Sequence, residues 1–212
     1  MTATTDRVDG VISTEEQPRE VLGHPGRGAV AKALDHIDEH FAGFIANAPF
    51  VLIGSADAQG QQDVSPKGDP AGFVLVLDEH TLAIPDRPGN HRGDTLSNVL
   101  QNPHVALLFL VPGVRETLRV QGRATIVRDE ALRERMAVDG KIPALALVIE
   151  VTEAFMHCAK CVVRSHLWEP EDWPDPTTVP NLATALIEQL QIPTTPERFA
   201  ANMERDVREN LY

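Results

Sequence analysis

The sequence predicts a mainly β, α+β fold: an antiparallel sheet with flanking helices and a helical tail. Three observations lead there. Six or seven short apolar runs, among them Phe50–Ser55, Thr81–Pro85 and His104–Val111, have the length of strands. They are joined by turns such as Asp57-Ala58-Gln59-Gly60 and Asp78-Glu79-His80 or by short helices, too brief for the crossovers that parallel strands need. The longest run, Arg115 to about Val127, alternates: Leu118, Val120, Ala124 and Ile126 fall on one face, Arg115, Thr117, Arg119, Gln121 and Arg123 on the other. Seven short strands with few intervening helices favour a closed barrel over an open α/β sheet.

Taken in order, the chain opens with a polar, acidic stretch that lacks an apolar core of signal-peptide length. Val30, Leu34, Ile37, Phe41 and Phe44 recur at steps of three and four, which predicts a helix after Pro25-Gly26 that ends near Asn47. Phe50–Ser55 and Gln61–Ser65 form a hairpin about Asp57–Gly60, and Pro66 breaks the second strand. Phe73–Leu77 and Thr81–Pro85 form another hairpin. A helix from Asp94 to Gln101 stops at Asn102-Pro103, and the strand His104–Val111 turns at Pro112-Gly113 into the alternating strand. Asp129 caps a helix to about Val138. Ala144–Val151 is a further strand, continuing toward Met156, and His157–Leu167 is a short helix or turn. Trp168–Pro176 is an acidic, proline-rich linker, and two helices follow, around Leu182–Leu190 and Glu197–Asn210.

Charge and composition narrow the function classes. Net charge is −12 and the sequence pI is near 5.0, which argues against a general nucleic-acid binder, since that needs a basic face. The longest apolar run, Val105–Val111, is far too short to span a bilayer, so a soluble, cytoplasmic protein is expected. Two cysteines make no disulfide framework.

The informative stretch is His80–Val111. A strand runs into Asp86-Arg87-Pro88-Gly89-Asn90-His91-Arg92-Gly93, and a helix starts directly after it. A basic, glycine-containing turn at a helix N-terminus can seat a phosphate, because backbone N–H groups point at the anion and arginines add charge-assisted hydrogen bonds. The same residues also fit an ordinary solvated turn. Asp63-Val64-Ser65-Pro66-Lys67-Gly68-Asp69 is the second such run; Lys67 either meets Arg92 over one ligand or sits on an exposed hairpin end. The basic row of the alternating strand is either a wet sheet face or a face turned to an anion or a second subunit. Cys158-x-x-Cys161 with His157 and His166 has the residue types of a zinc site at no standard spacing, so ordinary thiols are expected and no metal. No nucleophile elbow, Walker A loop or dinucleotide glycine fingerprint is present.

Four runs in this order, Asp63–Pro70, Ile84–Arg92, Asn102–Gly113 and Leu118–Ala124, resemble the pyridoxamine 5′-phosphate oxidase-like superfamily of flavin-binding split barrels. His157–Trp168 resembles a bacterial subfamily of probable FMN-dependent enzymes. The match covers roughly Gly43 to Trp173. It implies a six-stranded antiparallel split barrel, a homodimer with FMN at the subunit interface, and an FMN-dependent oxidoreductase acting on a small molecule, with NAD(P)H as a possible reductant. The alternative is a non-catalytic binding protein of the same fold, for flavin, heme or deazaflavin. The implied organisation is a flexible segment over 1–20, the FMN-binding domain over 21–175 and a helical extension over 176–212. Carried onto this sequence, Val64, Ser65 and Lys67 lie along the flavin ring and ribityl chain, and Ile84, Pro85 and Asp86 at the ring edge. Asn90, His91 and Arg92 bind the phosphate with help from Arg87, while Arg119, Gln121, Arg164 and Trp168 are lent by the other subunit. Lys67 is the cation that would favour the reduced ring. Two departures stand out. The vitamin B6 oxidase has an Arg-Lys pair where His91-Arg92 stands, and its C-terminal Arg-x-His pattern is only loosely echoed by Arg164-Ser165-His166. Its substrate is therefore not carried over.

Overall fold

The structure is a computed structural model and describes residues 8–212. The expected flexible segment thus lies partly outside the described residues. The chain divides into two units, one up to Ala33 and one from Leu34 onward. In the first, helices α1 (Glu16–Leu22) and α2 (Arg27–Ala31) bury no residue.

The second unit holds the sheet. Its elements are α3 (Glu39–Asn47), β1 (Phe50–Ala56), β2 (Gln62–Gly68), β3 (Leu75–Asp78), β4 (Thr81–Asp86), α4 (Asp94–Gln101), β5 (His104–Leu110), β6 (Thr117–Val127), α5 (Glu130–Arg135), β7 (Leu145–His157), α6 (Lys160–Ser165), α7 (Leu182–Leu190) and α8 (Pro196–Glu209). The strands form one seven-stranded sheet in the order β2-β1-β5-β6-β7-β4-β3, with every neighbouring pair antiparallel. Seven strands stand where the family resemblance implied six, and the sheet is not closed by hydrogen bonds between β2 and β3. It is nevertheless curled. Lys67 on the β2 edge and Asp86 at the end of β4 are five places apart in the strand order, yet Lys67 Nζ lies 3.8 Å from Asp86 Oδ1.

Alternation builds the core. Val51 and Ile53 of β1, Val105, Leu107 and Phe109 of β5, and Leu118 and Val120 of β6 all point inward and are buried. Helix α3 adds Phe41 and Ile45, and α4 adds Val99. Burial of such side chains stabilises the unit by about 1.5–3 kcal/mol each. Gly122 lies at a register shift between β6 and β7; a Cβ there would come within 2.3 Å of the Glu150 carbonyl oxygen. Only glycine lets the strands approach so closely.

Three features differ most from the sequence reading. The helix expected from after Gly26 to Asn47 is interrupted: Leu34 makes a bridge to Ala154, and α3 starts only at Glu39, capped by Asp38, whose carboxylate accepts the Phe41 N–H at 2.8 Å. Strand β2 runs through Pro66 to Gly68 instead of stopping before it. This is possible because β2 is an edge strand, where a missing N–H breaks no ladder on its outer side. Thr117, read as part of the wet face of β6, is 5% exposed. The cap expected from sequence at Asp129 is present, accepting the Leu132 N–H, and the linker makes a short 3₁₀ turn at Pro170–Asp172, with another at its end, Pro176–Thr178.

Candidate functional site

The curl of the sheet leaves a cleft between the ends of β2 and β4. Pairing of β3 with β4 stops at Ala83, so Ile84, Pro85 and Asp86 pair only with β7. The cleft widens into a cavity of about 810 Å³, lined by 63–67 of β2, 86–96, the loop 141–144 and Tyr212. That is within the roughly 300–1,000 Å³ usual for small-molecule sites.

The turn from Arg87 to Gly93 forms one wall. His91 and Gly93 adopt left-handed backbone, with φ of 58° and 68°. The Asn90 side chain accepts the Arg92 N–H at 3.1 Å, an Asx-type turn that orders the bend. Arg92 donates from Nε to Asp94 Oδ2 at 2.7 Å. That hydrogen bond, followed by the charge of Asp94, raises the arginine's pKa above its ordinary value. A guanidinium is charged throughout the physiological range in any case, and the side chain remains 71% exposed.

Helix α4 begins against this wall. Side chains cap α3, α5, α7 and α8, through Asp38, Asp129, Asn181 and Thr195. The N-cap of α4 is Gly93, which has no side chain to offer, and Gly93–Leu96 line the cavity. The start of α4 thus lies at the cavity without a side-chain cap, as α1, α2 and α6 also lack one, and a helix N-terminus so placed is one that an anion can complete. An arginine beside it adds charge. A phosphate-bearing ligand fits these residues.

The opposite wall carries Val64, Ser65, Pro66 and Lys67. Lys67 is held near Asp86, with both side chains only partly exposed. Farther in, Arg87 donates from Nε to Asp69 Oδ2 at 2.5 Å and from Nη2 to the Met136 carbonyl at 2.7 Å.

Of the residues singled out from sequence, Val64, Ser65, Lys67, Asp86, Arg87, Asn90, His91 and Arg92 come together in this one cavity. Ile84 and Pro85 are buried in β4 and do not line it. Arg119 and Gln121 point from the outer face of β6, where Arg119 lies over the Phe155 ring at 5.0 Å and Gln121 bonds Glu153 at 2.7 Å. Arg164 is exposed on α6, and Trp168 donates its indole N–H to the Val114 carbonyl at 2.8 Å. None of these four lines the cavity of its own chain.

Sequence reasoning missed Thr95, the 141–144 loop and Tyr212 as cavity residues. The loop and the tyrosine lie far along the chain from the turn they approach, and no local pattern marks them. Both cysteines are free and exposed. Among the described residues, the one group with metal-ligand chemistry is His166, Glu169 and Asp172, and neither cysteine belongs to it.

With fold and cavity in view, the chain can be placed. Residues 37–158, more than half of it, match the pyridoxamine 5′-phosphate oxidase family. The chain belongs to that family. A search of curated proteins found no match. Among solved structures, it is similar to HupZ of Group A Streptococcus, with 19% identity and a TM-score of 0.46 over 57% of this chain and 93% of that one. It is also similar to an FMN-binding protein from Syntrophomonas wolfei, with 13% identity and a TM-score of 0.44 over 68% of this chain and 96% of that one. A third is a Clostridium acetobutylicum protein related to general stress protein 26, with 17% identity and a TM-score of 0.43 over 57% and 90%. Among the described residues, no helix is long and apolar enough to cross a membrane.

Proposed function

We propose that this chain is an FMN-dependent oxidoreductase that acts on a small molecule. The observation that carries the reading is the uncapped N-terminus of α4, which opens into the cavity beside Arg92. FMN carries a dianionic phosphate, and the amides of residues 93–96 with Arg92 would hold it, helped by Asn90 and His91. Val64, Ser65 and Lys67 would bind along the ring and ribityl chain. Ile84 and Pro85 would act through backbone only, since their side chains are buried, and Asp86 would contact the ring edge.

When bound, FMN supplies the two-electron redox chemistry, and the protein's part is to position and tune it. Lys67 supplies positive charge to the ring region that gains negative charge on reduction, held in place by Asp86. Arg87 is engaged by Asp69 and Met136, so its part is to brace the wall rather than to bind phosphate alone.

The reading includes a homodimer. Leu52 of β1 pairs across to Leu108 of β5, and Leu108 to Arg119 of β6, on the outer face of the sheet. These two leucines and Leu110 are only half-buried, and Phe50 and Val64 are 38% and 63% exposed. An apolar outer sheet face of this kind suits a second copy. The partner subunit's Arg119, Gln121, Arg164 and Trp168 would then complete the site. The sheet, curled and unclosed, is read as a split barrel.

The test is the visible spectrum of the purified protein. Flavin bands that NAD(P)H or a substrate bleaches support the oxidoreductase. Flavin bands that no reductant or substrate alters favour a carrier, and a heme or deazaflavin spectrum overturns FMN as the ligand.

A further inference from the structure

One wall of the cavity comes from an unexpected part of the chain. Helix α8 packs against α7, buries no residue of its own, and ends at Glu209. Past that end, the Tyr212 hydroxyl donates to Asp69 Oδ1 at 2.7 Å, across 143 positions of sequence. The Arg87 guanidinium lies 5.3 Å from the centroid of the tyrosine ring. The Asp69 side chain is fully enclosed, its other oxygen taken by Arg87. Tyr212 lines the same cavity as Lys67 and Arg92.

The tail is therefore anchored at the cavity by one charge-assisted hydrogen bond and one cation–π contact. Both partners on the cavity side are rigid: Asp69 follows directly on β2 and Arg87 on β4, and Arg87 is fixed again by the Met136 carbonyl. The tail side is exposed along α8. A fixed catch met by a lightly packed arm is the construction of a strap that can open.

We propose that residues 210–212 form such a strap, latched by Tyr212 onto Asp69 and Arg87, and that the latch governs how fast a ligand enters and leaves the cavity. The ligand class, an aromatic ring carrying a phosphate, rests on the FMN reading above. Tyr212 acts here as a gating residue at the site, separate from the phosphate seat at α4.

Tyr212 is the only tyrosine in the chain, so tyrosine chemistry reports on the latch without any ligand. The hydrogen bond to Asp69, and after it burial, raise the phenol's pKa above its ordinary 10.0 and so disfavour the reactive phenolate. Nitration by tetranitromethane is expected to be several-fold slower in the native wild-type chain than in urea, and faster in native Asp69→Asn than in native wild type. In the FMN-loaded protein, Tyr212→Ala is expected to release FMN about tenfold faster than wild type, as loss of a hydrogen bond to a charged acceptor implies. Tyr212→Phe, which keeps the ring over Arg87, should fall between them. Equal nitration of native and unfolded wild type, or release from Tyr212→Ala at the wild-type rate, overturns the strap. A wild-type chain that takes up no FMN refutes the flavin reading instead, and the strap then stands or falls on nitration.

Discussion

Lys67 Nζ and Asp86 Oδ1 lie 3.8 Å apart although their strands stand near opposite ends of the sheet. That contact records the curl that creates the cavity, and it places a partly enclosed cation on the wall facing the basic turn. Lys67→Met removes the charge and keeps much of the side-chain volume. It is expected to lower the reduction potential of bound FMN, by about 30 mV for each tenfold loss of affinity for reduced relative to oxidised flavin. Equilibration with a reference dye measures this, and an unchanged potential removes Lys67 from the tuning role.

The Arg92 side chain is mostly exposed, and its hydrogen bond runs to its near neighbour Asp94. Arg92→Ala should therefore leave the thermal midpoint nearly unchanged. It should weaken FMN by about 10- to 100-fold, the worth of a charge-assisted hydrogen bond. Calorimetric titration with FMN and thermal denaturation, done on the same sample, separate the two effects.

Gly122 has no such tolerance. A methyl group there would meet the Glu150 carbonyl oxygen at 2.3 Å and Ile149 Cγ2 at 2.8 Å, and both belong to the neighbouring strand β7. Gly122→Ala is expected to destabilise the fold by about 1–3 kcal/mol, the cost of overpacking. Urea unfolding of the variant checks it, and a wild-type midpoint would mean that the strands part more easily than their register suggests.

His166 supplies a pH-dependent tie. Its Nδ1 lies 2.5 Å from Glu169 Oε2 and 2.7 Å from Asp172 Oδ2. The hydrogen bond to Glu169 comes first among the causes that raise its pKa above the ordinary 6.5, with the two carboxylate charges next. A raised folded value means that the folded chain holds the proton more tightly. The contribution is thus fully present below about pH 6.5 and is lost as pH rises through the folded value. The segment between Trp168 and Trp173 should loosen over that range. Tryptophan fluorescence should follow it in the wild type and should not in His166→Asn.

Much of this architecture was legible because local chemistry and tertiary structure agree. The alternation in β6 survives as buried Leu118, Val120 and Ala124 opposite exposed Gln121 and Arg123. The strand–turn–helix from Thr81 to Gln101 was readable because proline, glycine and asparagine mark the bend between an apolar run and a helix. The rest depended on position within the sheet. Pro66 breaks a central strand but is tolerated in β2, and nothing local says that β2 is an edge. The apolar spacing from Val30 to Phe44 suits a helix, yet a tertiary bridge from Leu34 to Ala154 interrupts it. Tyr212 is a single polar-tipped aromatic, and its role depends on Asp69, which only the fold brings near.

The central claim is that a phosphate caps α4 beside Arg92. The most direct test is to compare FMN with riboflavin, which has the same ring and no phosphate, in calorimetric titrations of wild type and Arg92→Ala. Wild type is expected to bind FMN far more tightly than riboflavin, and the substitution is expected to remove most of the difference. Equal affinity of wild type for the two flavins would contradict it.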